Sequence, residues 1–171
     1  VAEEFDVDIS RVGLTLTSYF IGIALGQLAY GPLMDRFGRR KPLIVGLSLY
    51  IISALIAAFS WNLYVLIITR FFMALGASSG MVASKAMVRD LFDKKQVADV
   101  LSTLMLIMGV APIIAPTVGG IVIGFFNWEA VFFILASFAA IMLFNVTFIL
   151  PESVKPNRST SLHPKAVVLE Y

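Results

Sequence analysis

The 171-residue sequence contains no cysteine and only one histidine. It therefore has no disulfide, no thiolate metal site and no cysteine nucleophile. His163 lies beside Pro164 in a polar stretch, and we assign it no role. The sequence shows no pattern typical of a Ser/His/Asp set, a metal-ligand cluster or a phosphate-binding glycine loop. We expect no catalytic residue, no metal site and no cofactor, and we predict that the protein is not an enzyme.

Charged residues are scarce as well, at 14% of the sequence, against 59% hydrophobic residues. A soluble domain carries about 25% charged residues and has too little buried volume for this much apolar surface. The formal net charge is only +2, and the cations are grouped at loops rather than in one stripe. A nucleic-acid partner is therefore not expected.

The apolar residues fall into five runs, each long enough to cross a hydrocarbon core of about 30 Å as a helix rising about 1.5 Å per residue. The predicted spans lie at about 12–34, 42–60, 63–88, 97–124 and 130–150. Residues 1–11 are predicted to form an outer loop, with Ser10 as the helix N-cap. Residues 151–171 are predicted to begin a cytoplasmic linker. The fold class is thus an all-α membrane protein, a bundle of five transmembrane helices.

The distribution of lysine and arginine predicts the orientation of these spans. Only Arg11 falls on one side of the predicted membrane. The other side carries Arg36, Arg39, Arg40, Lys41, Arg89, Lys94, Lys95, Lys155, Arg158 and Lys165. By the positive-inside rule, the loop near residue 38 and the tail are cytoplasmic.

The most informative stretch is Gly31-Pro32-Leu33-Met34-Asp35-Arg36-Phe37-Gly38-Arg39-Arg40-Lys41, which joins the first two spans. Any short inner loop of a membrane protein collects cations, and Gly38 suits a tight reversal of the chain. The ordered pattern G-P-L-x-D-R-x-G-R-R-K goes further: it resembles the signature loop of the major facilitator superfamily, which follows that family's second span. The matching positions are Gly31, Leu33, Asp35, Arg36, Gly38, Arg39 and Arg40.

This resemblance implies that the chain covers spans two to six of a twelve-helix carrier, within its N-terminal half. The first span and the C-terminal half would then be partners supplied by the rest of the carrier. The resemblance also implies a gate in which Arg39 reaches Asp90, at the end of the predicted span 63–88. Asp35 would meet the N-terminus of a helix from the other half.

Arg70 lies inside the span predicted at 63–88, where an arginine costs about 3 kcal/mol on insertion scales. It is either a structural arginine bonded to backbone carbonyls or a charge on the translocation pathway. Arg70 and Gly76 resemble the family motif R-x-x-x-x-x-G, whose arginine lies near the proton site. The predicted spans offer no acid at comparable depth, so a counter-ion is expected from the missing parts.

Small residues predict close helix packing at two places. Gly76, Gly80 and Ser84 recur every four residues, and Gly22 and Gly26 do so in the first span.

The span at 97–124 contains two prolines, each of which removes a backbone hydrogen bond. A merely bent span is one interpretation. The segment also resembles the antiporter motif of proton-driven drug exporters, G-P-x-x-G-G, although Ala115 replaces its first glycine. The residues assigned to this motif region are Gly109, Pro112, Pro116, Gly119 and Gly120. The chain as a whole resembles the Bcr/CflA drug-resistance group.

The predicted function is secondary active transport, namely proton-coupled export of drugs or other small amphipathic molecules. The expected partners are a drug-like substrate, protons and the lipid bilayer of a bacterial inner membrane. A solute-uptake porter of the same superfamily is an alternative, because the signature loop is common to both. A non-transporting helical membrane scaffold is a second alternative, which explains the glycines but not Arg70.

Overall fold

Five long α-helices make up the part of the chain that the computed structural model describes, residues 7–150. They are α1 (Ile9–Phe37), α2 (Arg40–Ala58), α3 (Leu63–Leu91), α4 (Lys94–Phe125) and α5 (Glu129–Phe148). All five are long and apolar enough to cross a membrane. The predicted fold class, an all-α membrane protein, is confirmed. Residues 1–6 and the predicted linker at 151–171 lie outside the described residues.

Side-chain caps determine where α1 and α3 begin. Asp8 accepts a hydrogen bond from the Ser10 backbone N–H at 3.5 Å, so Asp8 and not Ser10 is the N-cap of α1. The helix consequently starts within the segment predicted as loop, because a carboxylate one position before Ile9 already satisfies a free backbone donor. Asn62 plays the same role for α3, accepting from the Val65 N–H at 2.9 Å.

Short connections reverse the chain between successive helices and give the bundle two ends. We call the end with Gly38 and with Phe92 and Asp93 the signature end. The end formed by residues 59–62 and 126–128 is the far end. Gly38 has φ 85°, a backbone conformation that glycine adopts without steric cost. The reversal expected at this glycine is therefore present.

The core forms where α3 lies between α1 and α2, with α5 packed on the other side of α2. Close approach of the backbones holds these helices together. A Cβ added to Gly76 would lie 2.6 Å from the Gly46 carbonyl oxygen, and one added to Gly22 would lie 2.6 Å from the Phe71 carbonyl oxygen. The Ser18 hydroxyl also donates to the Ile67 carbonyl at 2.6 Å, which bonds α1 to α3. The packing role predicted for Gly22 and Gly76 is thus observed.

Helix α4 differs from the other four because none of its residues is buried. A Cβ added at Gly109, Gly119 or Gly120 would meet nothing within 4 Å. The same holds for Gly80 on α3, so the predicted small-residue stripe contacts another helix at Gly76 but not at Gly80. The smooth face expected on this helix has no cover among residues 7–150.

Candidate functional site: an ion network at the signature end and an arginine within the bundle

Three charged side chains join α1 to α3 at the signature end. Arg39 donates through Nη1 to Asp35 Oδ1 at 2.6 Å and through Nε to Asp90 Oδ2 at 3.0 Å. The Arg39 side chain is only 13% exposed, whereas those of Asp35 and Asp90 are 49% and 19% exposed. The contact that the sequence predicted between Arg39 and Asp90 is present, and Asp35 shares the same guanidinium.

The two carboxylates also determine the ionisation of Arg39. Partial burial lowers the pKa of its guanidinium, but hydrogen bonds and charge attraction from Asp90 and Asp35 outweigh burial and leave the pKa above its ordinary value. Arg39 therefore remains a fixed cation at this end of the bundle.

Arg40 connects the same loop to the last helix. Its Nε donates to the Val146 carbonyl at 3.2 Å, and its Nη2 donates to the Thr147 carbonyl. Carbonyls in the last turn of a helix lack partners within the helix, so a cation bonded to them stabilises that end. Two consecutive arginines thus connect the turn between α1 and α2 to other helices. Arg39 bonds to α1 and α3, and Arg40 bonds to the end of α5. Sequence reasoning placed Arg40 in the signature loop without predicting this contact.

A cavity of about 530 Å³ lies beside this network between α1 and α3. Gly31, from the signature loop, lines it together with the three charged residues of the network. Lys85 and Arg89 on α3 add two further cations to its wall. Arg36 points elsewhere, with its guanidinium carbon 5.6 Å from the centre of the Phe37 ring.

Arg70 lies in the opposite half of the bundle, and aromatic rings surround it. Its guanidinium carbon is 5.8 Å from the centre of the Tyr19 ring and 5.3 Å from that of Phe132. Its Nε is buried and has no hydrogen-bond partner among residues 7–150, and no carboxylate within that range forms an ion pair with it. Cation–π contacts stabilise a guanidinium but leave its donors unsatisfied.

The structure brings together some of the predicted residues and keeps others apart. Asp35, Arg39 and Asp90 meet directly, whereas Arg70 is in the far half of α3. Pro112 and Pro116 lie inside the continuous helix α4, on which no residue is buried. Within residues 7–150, no group of three or more histidine, cysteine or acidic side chains is placed to hold a metal ion.

The chain matches the family model of the Major Facilitator Superfamily over residues 1–169. It belongs to this superfamily. A bicyclomycin resistance protein homolog of Haemophilus influenzae is 35% identical over 100% of the chain and 43% of its own length. Multidrug resistance protein D of Escherichia coli is 30% identical over 90% of the chain and 39% of its own length. An uncharacterized MFS-type transporter of Bacillus subtilis is 35% identical over 90% of the chain and 39% of its own length.

These relatives support the resemblance to the Bcr/CflA drug-resistance group within the major facilitator superfamily. The chain spans 39% to 43% of the length of these three relatives. Membership of a transporter superfamily also supports the expectation that this protein is not an enzyme.

Sequence reasoning about this major facilitator chain missed the aromatic contacts of Arg70 and the burial of one carboxylate oxygen of Glu129. Tyr19 and Phe132 are far apart in sequence and lie on α1 and α5. Glu129 was read only as part of a polar break, yet its Oε2 is buried without a hydrogen-bond partner among the described residues. One signal was available: Glu129 precedes Phe132 by three residues, so the two share a helix face.

Proposed function

We propose that this chain forms five spans of a secondary active transporter that exports drugs or other small amphipathic molecules in exchange for protons. The remaining spans of the carrier, including a first span and a C-terminal half, complete the transport path. The substrate class is suggested by the names of two relatives, a bicyclomycin resistance protein homolog and a multidrug resistance protein.

The observation that carries this proposal is the position of Arg70. A guanidinium with an unsatisfied buried donor inside a membrane-length helix is costly, and such residues mark ion or substrate pathways. A purely structural arginine would bond its donors to backbone carbonyls. Arg70 Nε has no such bond within the described residues. In the proposed carrier, the Arg70 charge acts on a proton-carrying acid, because an opposite charge within about 4–6 Å lowers the pKa of a carboxyl group.

The Asp35–Arg39–Asp90 network supplies the proposed gate. It joins α1 to α3 at the signature end, and Asp35 keeps half of its side-chain surface exposed. An exposed carboxylate there can meet the positive N-terminus of a helix from the other half in one state and water in the other. A charge-assisted hydrogen bond contributes about 1.5–3 kcal/mol, enough to shift a two-state equilibrium about tenfold or more.

The uncovered face of α4 supports the assignment of further spans. Substrate sites in secondary transporters form between repeats, near the membrane midplane. A helix with two prolines and several glycines has free carbonyls and a smooth surface for a neighbour. The antiporter-motif region, Gly109 to Gly120, would thus lie at an interface with the rest of the carrier.

The excess of lysine and arginine at the signature end supports a cytoplasmic position for that end. The far end then faces outward. The bacterial inner membrane is the location that fits an exporter with these bacterial relatives.

A transport assay on the complete carrier tests the proposed function. Everted membrane vesicles would be energised by respiration, which builds a proton gradient across their membrane. Accumulation of ethidium inside them would be followed by fluorescence. We expect accumulation that collapses when a protonophore is added. Accumulation of a solute in right-side-out vesicles, with no ethidium transport in everted ones, would indicate an uptake porter. No transport of either kind would favour the scaffold.

A further inference from the structure

The cavity between α1 and α3 at the signature end contains two cations that the ion network does not use. Lys85 and Arg89 lie on its α3 wall, one helical turn apart, and both residues are exposed. Neither forms an ion pair within the part of the chain that the structure describes, where Asp35 and Asp90 both bond to Arg39. The wall carries three cations against two acids, hence one net positive charge, and the two cations without an acid are neighbours.

Polarity changes along the length of this cavity. Its lining on α3 runs from Met81 to Asp90, a stretch about 14 Å long at about 1.5 Å per residue. The inner part of the wall contains Met81 and Val82, together with Leu28 of α1, which is 67% exposed. Gln27 contributes the polar group there, with its Nε2 3.7 Å from the Met81 sulfur. All charged lining residues lie from the middle of the cavity toward the signature end, so the cavity has a charged mouth and a mainly apolar interior.

A lysine near the end of a membrane span commonly extends its amine toward water, and this alone would explain Lys85. It would not explain why Lys85 and Arg89 share the wall of a cavity that becomes apolar further inside. An amphiphile with an anionic head and an apolar tail matches both parts of the wall. Phosphate is a suitable head, because arginine binds it through two parallel hydrogen bonds and lysine binds it as a point charge.

We propose that this cavity binds an anionic phospholipid, whose phosphate is held between Lys85 and Arg89. The first part of an acyl chain then lies along Met81 and Val82, and the rest of the lipid remains in the bilayer. A phospholipid with one negative charge, such as phosphatidylglycerol, balances the net charge of the wall. The two acids of the wall are neutralised by Arg39, which bonds to both of them.

The level of the site in the membrane agrees with this ligand. Lys85 and Arg89 precede the end of α3 at Leu91 by about 9 Å and about 3 Å, at about 1.5 Å per residue. Basic pockets between spans at the cytoplasmic side of a membrane bind anionic lipid headgroups. The inference concerns lipid binding alone, so it depends on neither drug export nor proton coupling.

Lipid binding to the complete carrier tests the proposal without any transport measurement. The purified, delipidated carrier would be titrated in detergent with dioleoylphosphatidylglycerol or dioleoylphosphatidylethanolamine, and bound lipid would be counted by native mass spectrometry. The two lipids have identical acyl chains, so a difference between them is due to the headgroup. We expect phosphatidylglycerol to bind more tightly. Equal binding of the two lipids, or tighter binding of phosphatidylethanolamine, would overturn the proposal.

The double variant Lys85→Gln, Arg89→Gln should bind phosphatidylglycerol about 25-fold more weakly, because each basic side chain near an anionic lipid contributes about fivefold. Lys94→Gln, Lys95→Gln is the matched control. It removes two positive charges at the same end of the bundle, and neither residue lines the cavity. The control should keep the wild-type affinity. Equal affinities of the two double variants would indicate general attraction to a basic surface and would overturn the site.

A second pair of variants keeps the test decisive if the first double variant does not fold. Arg89→Gln alone should weaken binding about fivefold, and Lys85→Arg with Arg89→Lys should retain most of it, since both charges remain. Ala86→Trp fills the cavity and leaves every charge in place, because Ala86 lines the same wall. It should weaken binding of phosphatidylglycerol. Wild-type affinity in Ala86→Trp would show that the lipid binds outside the cavity and would overturn the assignment.

Inorganic phosphate distinguishes a lipid site from a site for free anions. We expect millimolar inorganic phosphate not to displace phosphatidylglycerol, since it has no acyl chain to occupy the apolar interior. Displacement by inorganic phosphate would show that the two cations hold a free anion and would overturn the lipid assignment. Loss of ethidium efflux would contradict the proposed function, whereas the lipid measurements decide this site separately.

Discussion

Helices α3 and α4 follow one another in the chain and have similar lengths, 29 and 32 residues, yet their surroundings are opposite. Helix α3 has ten buried residues and contacts both α1 and α2, whereas α4 has no buried residue. Both are apolar and both contain glycines. Hydrophobicity alone therefore does not place a helix inside a membrane bundle, because an apolar helix surface is as stable against lipid tails as against another apolar helix.

What distinguishes α3 is the presence of partners for its small and polar residues. Gly76 meets the backbone of α2, and Asp90 meets Arg39. A Cβ added to any of the α4 glycines would meet nothing within 4 Å outside its own helix. The proposed explanation is that the partners of α4 lie in the rest of the carrier, and four experiments test this difference, from the largest expected effect to the smallest.

The 171-residue chain by itself should insert into a membrane but show no efflux. Its five apolar helices suffice for insertion, and the loop charges orient them. In a detergent micelle, amide hydrogens of α4 should exchange faster than those of α3, since no residue of α4 is buried. Hydrogen exchange read by mass spectrometry checks this, with α3 as the internal control. Protonophore-sensitive ethidium efflux from this chain alone would contradict the proposed need for further spans.

Arg70→Ala in the complete carrier should reduce ethidium efflux to background while the protein still reaches the membrane. Arg70→Lys should retain part of the activity with a changed pH profile, because it keeps the charge but loses the planar guanidinium. No equivalent charge exists in the membrane part of α4, so Asp99→Asn near the start of that helix is a suitable control. Active pumping by Arg70→Ala would reject the role assigned to Arg70.

Gly76→Leu should destabilise the bundle by about 3 kcal/mol or more, since overpacking a filled contact typically costs about 1–3 kcal/mol and here the clash is with backbone. Gly80→Leu is the matched control on the same helix, because a Cβ added there meets nothing within 4 Å. Gly120→Leu on α4 should be neutral in the 171-residue chain and harmful in the complete carrier. Thermal unfolding in detergent measures all three, and equal stabilities of the Gly76 and Gly80 variants would contradict the packing described here.

Asp35→Asn should lower the efflux rate about tenfold, because the ion network biases the proposed gate and Asp35 is too exposed for a larger effect. Expression should be preserved. Asp90→Asn should give a similar or greater loss, since its carboxylate is less exposed. Wild-type efflux by both variants would contradict the role of the Asp35–Arg39–Asp90 network in the proposed gate.

Much of the fold could be predicted because it depends on local properties. Five apolar runs predicted five helices, and Gly38 predicted the reversal of the chain. The Arg39–Asp90 contact is not local, and it was expected only from the resemblance to the superfamily. The N-cap of α1 was assigned to Ser10 instead of Asp8, because both residue types cap helices and neighbouring positions compete. Boundaries of this kind are decided by one hydrogen bond.

The rest required tertiary information. Nothing in the spacing of Gly76 and Gly80 shows that only one of them faces another helix, since both lie on a stripe with the same period. The rings beside Arg70 come from α1 and α5, and the carbonyls that Arg40 contacts come from the end of α5. Contacts between residues so distant in sequence leave no local pattern.

The contact between Arg40 and the end of α5 has a consequence for biosynthesis. Arg40 and Val146 are separated by 106 positions, so the donor is made long before its acceptors. At about 5–20 residues per second, the ribosome needs about 5–20 s to reach the carbonyls of α5 after Arg40 has been added. During that interval the Arg40 guanidinium lacks these two acceptors. The bond between the loop that precedes α2 and the end of α5 can therefore form only after α5 has been synthesised.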